Sequence, residues 1–360
     1  MGNSLKPIRK TSSAAFFSLL LLGGCASPGR PGAESGRYGG RAGLVSRAEE
    51  LVAGFEILSD KLFPTTGLSG QAELSALLRE SGGPGDEFTA MILGETARPV
   101  LYARESIRLS IADGGFLNIH SAPASSFAVS VASRNQVEAS LADMALEKYA
   151  ALPPYLKPKY GILLPAPGSK LGAPAIAKWY GTDAYVIRLG RVKSRLTWTP
   201  GDSLDRLAKW ASLNSPGWSK GEALSPPGWD LAFIPWSRRA LIIPLMAGDA
   251  AASGVFGFAS TPEVPFYHPA AKVKTIFPGP NASYLEIQIW GPLDLADVEE
   301  FIFGKNPPEA EFLKILKKYR IPVFDGRSGK PVRWLSLLRP GGAGLLVYRD
   351  CRGGCALFSV

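Results

Sequence analysis

The chain has 360 residues, of which 46% are hydrophobic, and 40 Lys and Arg against 31 Asp and Glu give a formal charge of +9. This excess is mild for the length, and no basic block accompanies a motif that reads DNA or RNA, so we expect no nucleic-acid partner. Beyond residue 25 no uninterrupted apolar run reaches the length of about 18 residues that a membrane-spanning helix needs. The apolar content is ample for one large domain or two ordinary ones.

The N-terminus combines a basic start with a short apolar run. Lys6, Arg9 and Lys10 precede the run from Ala14 to Leu22, which is too short to cross a hydrocarbon core of about 30 Å. A basic start, a short apolar centre and small residues at the end are typical of a secretory signal peptide. The run ends in Leu22-Gly23-Gly24-Cys25.

These last four residues resemble the lipobox of bacterial lipoproteins. In that family a dedicated peptidase cuts before the cysteine, whose sulfur carries diacylglycerol and whose new amine is acylated. The resemblance covers residues 1–25 only, and it implies a signal peptide over 1–24, a lipid on Cys25 and a membrane partner through that lipid. Ala26 follows the cysteine where an Asp often signals inner-membrane retention, which favours the outer membrane and leaves the face open. The alternative is a chance cysteine after an ordinary cleavable signal.

The next segment has the composition of a linker. Residues 26–44 are rich in Gly, Pro and Arg, and such a chain behaves as a flexible coil with a reach of roughly 25 Å. We therefore predict a tether over 25–44. Folding is predicted to begin near Val45, in a helix with apolar residues at helical spacing, namely Leu51, Phe55, Leu58 and Leu62.

The remaining pattern mixes period-two stretches with helical ones. Ile107–Ile111 alternates apolar and polar residues before an Asp113-Gly114 turn signal, and Leu285–Ile289 alternates in the same way, which predicts strands. Asp294 is placed to cap a helix that bears Leu295, Val298, Phe301 and Ile302. We predict the α+β fold class, with antiparallel sheets and packed helices.

The chain is predicted to divide into two α+β units. Strand and helix signals recur in similar order in both halves, each followed by a short "KYGI" or "KYRI" sequence. The expected units span 45–200 and 201–360, with an internal repeat as one interpretation of their similarity.

One predicted hairpin gathers basic residues. A two-residue turn at Gly190-Arg191 would pair Tyr185 with Leu196 and give one apolar face. Arg188, Lys193 and Arg195 would share the opposite face. That face either grips an anionic envelope polymer or headgroup, or is simply a solvated surface.

Tryptophan is concentrated in one region, since six of the eight lie between residues 179 and 236. Trp218 and Trp229 stand in the turn-like sequences "SPGW" and "SPPGW". Loop indoles either stack on a sugar or partner, or cover a core edge.

The two cysteines of the C-terminus flank a short Gly-containing loop. In "DCRGGCAL" a three-residue hairpin loop at 352–354 would set Cys351 opposite Cys355, within disulfide range. A structural disulfide is the main interpretation, and free thiols or a redox or metal role are the alternatives.

Catalytic signals are sparse. His120 and His268 are the two histidines; neither has a metal-ligand spacing, and His120 ends an apolar stretch as a structural imidazole would. No known catalytic or cofactor motif occurs, so no catalytic residue, cofactor or metal is assigned. We predict a lipid-anchored envelope protein with a non-enzymatic binding or structural role, and a polymer or protein partner. A glycan-directed cell-wall enzyme is the alternative.

Overall fold

The computed structural model describes residues 40–62, 85–121, 131–164, 181–200, 203, 232–241, 285–326, 329–332, 334–337, 345–349 and 355–359. Helices in these segments are numbered in chain order: α1 (Gly40–Leu62), α2 (Gly85–Leu93), α3 (Arg108–Gly114), α4 (Val131–Leu141), α5 (Leu146–Ala150), α6 (Leu189–Val192) and α7 (Ala310–Lys318). Short 3-10 helices add Glu105–Ile107, Pro154–Leu156, Lys193–Arg195, Trp236–Leu241 and Leu295–Asp297.

The strands form two sheets. They are β1 (Arg98–Ala103), β2 (Lys159–Leu164), β3 (Asp183–Ile187), β4 (Leu196–Pro200), β5 (Ile234–Pro235), β6 (Leu285–Ile289), β7 (Val298–Phe303), β8 (Val323–Asp325), β9 (Lys330–Pro331), β10 (Trp334–Leu337), β11 (Leu345–Arg349) and β12 (Cys355–Ser359). The larger sheet has nine strands in the order β5-β4-β6-β2-β1-β3-β7-β8-β9. Its strand pairs are antiparallel except for β7 and β8, which run parallel. The smaller sheet is β10-β11-β12.

The α+β class is confirmed, but the predicted units share the larger sheet. Strand β6 of the second unit lies between β4 and β2 of the first, and β7 pairs with β3. Alternating strand patterns show that strands exist without showing which strand each one joins. Within the described residues, the division at residue 200 therefore does not separate two sheets.

Helix α1 confirms the first predicted helix and corrects its start. Leu44, Ala48, Val52 and Phe55 are buried, and their spacing of three and four residues puts them on one helical face. The helix begins at Gly40, inside the predicted tether, so the final five residues of that segment are helical. Arg41 explains the earlier start, because it forms ion pairs with Asp294 and Asp297 that the composition does not reveal.

The predicted strand at Ile107–Ile111 is wrong, because these residues end a 3-10 helix and begin α3. Ile111 is buried, whereas Ile107 and Leu109 are 42% and 38% exposed. Arg108 is buried instead and bonds to Asp183, so the side that faces the core contains a charged residue. A period-two interpretation places Arg108 on the solvent side and so fails here.

Asp294 caps a helical turn as predicted, but the long helix expected after it does not form. Its side chain accepts a hydrogen bond from the Ala296 backbone at 2.7 Å, and its own backbone donates to Asp297 at 3.2 Å. The helical turn ends after three residues, and the chain continues as β7. Phe301 of β7 packs on Tyr185, with ring centroids 4.9 Å apart, so core packing selects the strand.

Candidate functional site

The predicted basic hairpin does not form. Strand β3 pairs with β1 and β7, and β4 pairs with β5 and β6, so Tyr185 and Leu196 lie in separate parts of the sheet. Residues 189–195 between them are helical rather than a two-residue turn. The shared basic face predicted for Arg188, Lys193 and Arg195 is therefore wrong.

Arg195 lies inside the protein, with 1% of its side chain exposed. Its Nη1 donates to the Trp290 carbonyl, and its Nη2 lies 3.6 Å from an Asp297 oxygen. Burial lowers the pKa of Arg195, while Asp297 raises it. Arg195 thus anchors the turn after β6 and cannot contact an external polymer.

Arg188 and Lys193 have different surroundings. Arg188 is half-buried, and its backbone N–H donates to the Asp297 carbonyl at 2.8 Å. Lys193 is exposed, and its Nζ lies 2.9 Å from a Glu95 oxygen. Of the three predicted contact residues, Lys193 lines a surface groove.

This groove lies between α1 and the 3-10 helices at 193–195 and 236–241, and encloses about 360 Å³. Its lining residues are Glu49, Val52, Ala53, Glu56, Lys193, Ser194, Pro235 and Ser237. Both acids already accept hydrogen bonds within the groove: Glu49 from the Ser194 hydroxyl at 2.7 Å, and Glu56 from Ser237. The groove therefore offers a polar rim over an apolar floor, which suits a binding contact more than chemistry.

A buried carboxylate forms the centre of a second cluster, which we call the Glu138 cluster. One oxygen of Glu138 accepts hydrogen bonds from the Tyr149 hydroxyl at 2.6 Å and from His120 Nε2 at 2.8 Å. The other oxygen accepts one from the Tyr160 hydroxyl at 2.7 Å, and Arg134 Nε lies 3.7 Å away. The Arg134 guanidinium also lies 4.0 Å from the centre of the Tyr160 ring.

The two tyrosines of this cluster keep their hydroxyl protons and donate hydrogen bonds to Glu138. Burial, together with the charge of Glu138, raises the pKa of Tyr149 and of Tyr160 well above the ordinary value. His120 is 2% exposed and Glu138 is not exposed, and among the described residues His120 Nδ1 has no hydrogen-bond partner. The cluster can fix α4 against β2 and α5, and its closed geometry matches the structural role predicted for His120.

A third polar group covers one face of β4 and β6. Glu286 is buried and accepts hydrogen bonds from the Ser203 hydroxyl at 2.6 Å, Gln288 Nε2 at 3.0 Å and the Thr199 hydroxyl at 3.3 Å. Thr197 donates to Gln288 at 2.9 Å. Sequence reasoning missed this network, because the alternation in Leu285–Ile289 predicts a strand whose polar residues, Glu286 and Gln288, face solvent.

Lys159 is a buried lysine bonded to backbone carbonyls. Its Nζ donates to the carbonyls of Gly291 and Tyr155, the latter at 3.2 Å. Burial, with a smaller contribution from the nearby charge of Arg195, lowers the pKa of Lys159 to about 7. This lysine ties the start of β2 to the turn after β6.

The described tryptophans favour the packing interpretation. Trp198 and Trp236 are at most 1% exposed, as is Trp290 outside the predicted region. Trp218 and Trp229, with the remaining two of the six, lie outside the described residues. The proposed stacking role of Trp218 and Trp229 stays a prediction.

The C-terminal strands pair in a different register from the one predicted. Strands β11 and β12 are antiparallel, and the partner of Cys355 across the pair is Arg349 rather than Cys351. Five residues separate the observed partners Arg349 and Cys355, whereas three separate the predicted partners Cys351 and Cys355. This difference of two residues changes the partner of every residue in the two strands. Cys351 and Cys25 lie outside the described residues, so the disulfide and the lipid site stay predictions.

Comparisons with known proteins give no family for this chain. No family model matches it, and neither the curated proteins nor the solved structures contain a match. Within the described segments, no helix is long and apolar enough to span a membrane. The same segments hold no group of three or more His, Cys, Asp or Glu side chains arranged for a metal ion.

Proposed function

We propose that this protein is a lipid-anchored component of the bacterial cell envelope with a non-enzymatic binding or structural role. The observation that carries the proposal is the sequence Leu22-Gly23-Gly24-Cys25, which resembles a lipobox, followed by a folded body. Helix α1 begins at Gly40, fifteen positions after Cys25. A short, Gly-rich and Pro-rich connection of this kind keeps a body close to its anchor.

The groove beside α1 is the proposed contact for a partner. It combines exposed Lys193 with the apolar side chains of Val52 and Ala53 on α1, the first described helix after Cys25. A polar rim around an apolar floor is typical of transient protein contacts. The Glu138 cluster supports a binding role over catalysis, because both oxygens of its carboxylate already accept internal hydrogen bonds.

Fatty-acid labelling tests the anchor. Cells that express the protein and take up an alkyne-bearing fatty acid should label the natural chain, and Cys25→Ser should abolish the label. Cys351→Ser and Cys355→Ser are matched controls that should keep it. Equal labelling of Cys25→Ser and the natural chain, or no labelling of either, contradicts the proposal.

A second candidate function is a glycan-directed enzyme of the cell wall. It is favoured by the turn-like sequences that carry Trp218 and Trp229, because an indole on such a loop can stack on a sugar ring. Incubation with purified wall fragments should then release soluble products, and Trp218→Ala and Trp229→Ala should each lower the release while Tyr319→Ala, at an exposed aromatic residue, does not. Absence of products excludes this candidate.

A further inference from the structure

One end of the nine-stranded sheet carries an excess of positive side chains. Arg188 and Arg191 follow β3, whose last residue Ile187 pairs with Val298 at the start of β7. The other members lie in the last turn of α7 or just after it, and β8, which follows, pairs in parallel with β7 from Phe301 onward. We call this group the basic end, and its members are Arg188, Arg191, Lys317, Lys318 and Arg320.

These side chains are available to an external partner. Lys317, Lys318, Arg320 and Arg191 are exposed, and Arg188 is half-buried. Within the described part of the chain none of the five forms a side-chain ion pair or hydrogen bond. Lys314, one turn earlier on α7, is also exposed and extends the group along the helix.

The acids at this end leave the positive excess in place. Asp294 and Asp297 both form ion pairs with Arg41, and Asp297 also lies 3.6 Å from Arg195. These two acids and two arginines balance one another. Two further acids of the described residues lie near this end, namely Glu299, exposed near the start of β7, and Glu49, which accepts a hydrogen bond from Ser194, and they offset two of the five charges.

The anchor side of α1 lies at the same end. Arg41, the second residue of α1, is 2.9 Å from Asp294, which directly precedes the turn that leads into β7. Gly40 is fifteen positions after Cys25, a separation that a chain can bridge over at most about 50 Å. The N-terminus of α1, which is the described part of the chain nearest in sequence to Cys25, therefore lies at the basic end.

We propose that the basic end rests on the anionic headgroups of the membrane that holds the lipid anchor. Clusters of Lys and Arg next to a membrane attachment bind anionic lipid, with about a fivefold gain in affinity for each charge near the surface. A lipid chain together with a basic patch also forms the two-signal arrangement that makes attachment stable. The inference rests on the proposed lipid anchor, and it fixes which side of the body faces the bilayer.

Lysine labelling tests the contact in the natural lipidated protein. The protein is reconstituted in phosphatidylcholine vesicles with or without phosphatidylglycerol, and each lysine is followed by mass spectrometry after a pulse of an acetylating reagent. At about 0.15 M salt, Lys317 and Lys318 should react at least about fivefold more slowly on the anionic vesicles, and roughly 1 M salt should remove the difference. Lys305, which follows β7 at the opposite end of the sheet, should react equally on both.

A non-lipidated form separates this proposal from the anchor. The chain carries Cys25→Ala and is exported with an ordinary cleavable signal, so its binding to anionic vesicles does not depend on the lipid. Lys317→Gln, Lys318→Gln and Arg320→Gln together should lower that binding at least about tenfold. Arg104→Gln, Lys148→Gln and Lys305→Gln together, also exposed and equal in charge, should leave it unchanged, and thermal unfolding confirms that both variants fold.

Three results overturn the proposal. The first is equal lysine reactivity on the two kinds of vesicle. The second is an equal loss of vesicle binding in the two triple variants. The third is protection of Lys317 and Lys318 by added lipopolysaccharide or teichoic acid but not by anionic vesicles, which would assign the basic end to an envelope polymer.

Discussion

Arg108 and Asp183, 75 positions apart in the chain, form a bidentate ion pair in the interior, with Nε to Oδ2 at 2.6 Å and Nη2 to Oδ1 at 2.9 Å. The side chains are 1% and 0% exposed. The same guanidinium donates to the Asn306 carbonyl at 2.8 Å. The pair therefore joins α3, β3 and the loop before α7.

Removing one partner of this pair should be far worse than removing both. Asp183→Asn leaves a buried guanidinium without its counter-charge and should lower the free energy of unfolding by about 3–5 kcal/mol. Burial raises the pKa of Asp183 although Arg108 lowers it, so the cost of desolvating this acid is not fully offset. Arg108→Met with Asp183→Leu should thus lose less than Asp183→Asn alone. Urea unfolding measures all three, and a double variant at least as unstable as the single one would contradict this account.

The Glu138 cluster should be important for stability. Glu138→Leu leaves the hydroxyls of Tyr149 and Tyr160 and His120 Nε2 without their acceptor, and each such loss costs about 1–3 kcal/mol. We expect a destabilisation of at least about 3 kcal/mol by urea unfolding. The control, exposed Glu147→Leu, should stay within about 0.5 kcal/mol. Similar values for the two variants would show that the cluster does not stabilise α4.

Because Lys159 is buried, the free energy of unfolding should rise with pH. Its pKa is about 7 in the folded protein, against an ordinary value of 10.5, so between these values the unfolded chain binds more protons than the folded one. Stability should rise from about pH 7 to about pH 10, by at most about 4 kcal/mol, and change little below pH 7 through this group. Above pH 10 the trend should reverse, since the pKa of Tyr102 is raised to about 12 and unfolded tyrosines ionise earlier.

Lys159→Met isolates this effect. The variant should be more stable than the natural chain at pH 7 and should show a flatter profile up to pH 10, by urea unfolding at each pH. Lys148→Met, on an exposed residue of α5, is the matched control and should keep the natural profile. A profile of Lys159→Met parallel to that of the natural chain would contradict the buried-lysine account.

Two glycines should respond to alanine in opposite directions. Gly291 has φ of 75°, and an added Cβ would lie 2.7 Å from the Ala48 Cβ, so Gly291→Ala should destabilise by more than about 1 kcal/mol. Gly54 lies on the exposed side of α1 with nothing within 4 Å, so Gly54→Ala should stabilise by about 0.5–1 kcal/mol. Thermal unfolding distinguishes the signs, and destabilisation by Gly54→Ala would question the helix at that position.

Sequence patterns predicted elements best where apolar spacing alone determines them. Helix α1 and strand β6 are predicted correctly because each has one regular apolar face. The predictions failed around Arg108 and Arg195. Each of these arginines is buried because it bonds to a partner about 75 or more positions away in the chain. A local sequence pattern assigns a charged residue to the solvent-facing side. The pattern therefore predicts the wrong face, and so the wrong element, where a distant partner buries the charge.

The sequence predicts single features of the Glu138 cluster but not the cluster as a whole. His120 was recognised as structural, and Arg134 with Glu138 has the spacing of a helical ion pair. Their junction with Tyr149 and Tyr160 depends on α4, α5 and β2 meeting in space. The basic end was missed for the same reason, because Arg188 and Arg320 share one end of the sheet only through the pairing of β3 with β7 and of β7 with β8.

The N-terminal residue of the mature protein tests the central claim most directly. Protein isolated from bacterial membranes is digested with trypsin, and its N-terminal fragment is weighed by mass spectrometry. The account predicts a fragment that begins at Cys25, with diacylglycerol on the sulfur and an acyl chain on the amine. A mature chain that begins at another residue, or an unmodified Cys25 in the membrane fraction, would contradict it.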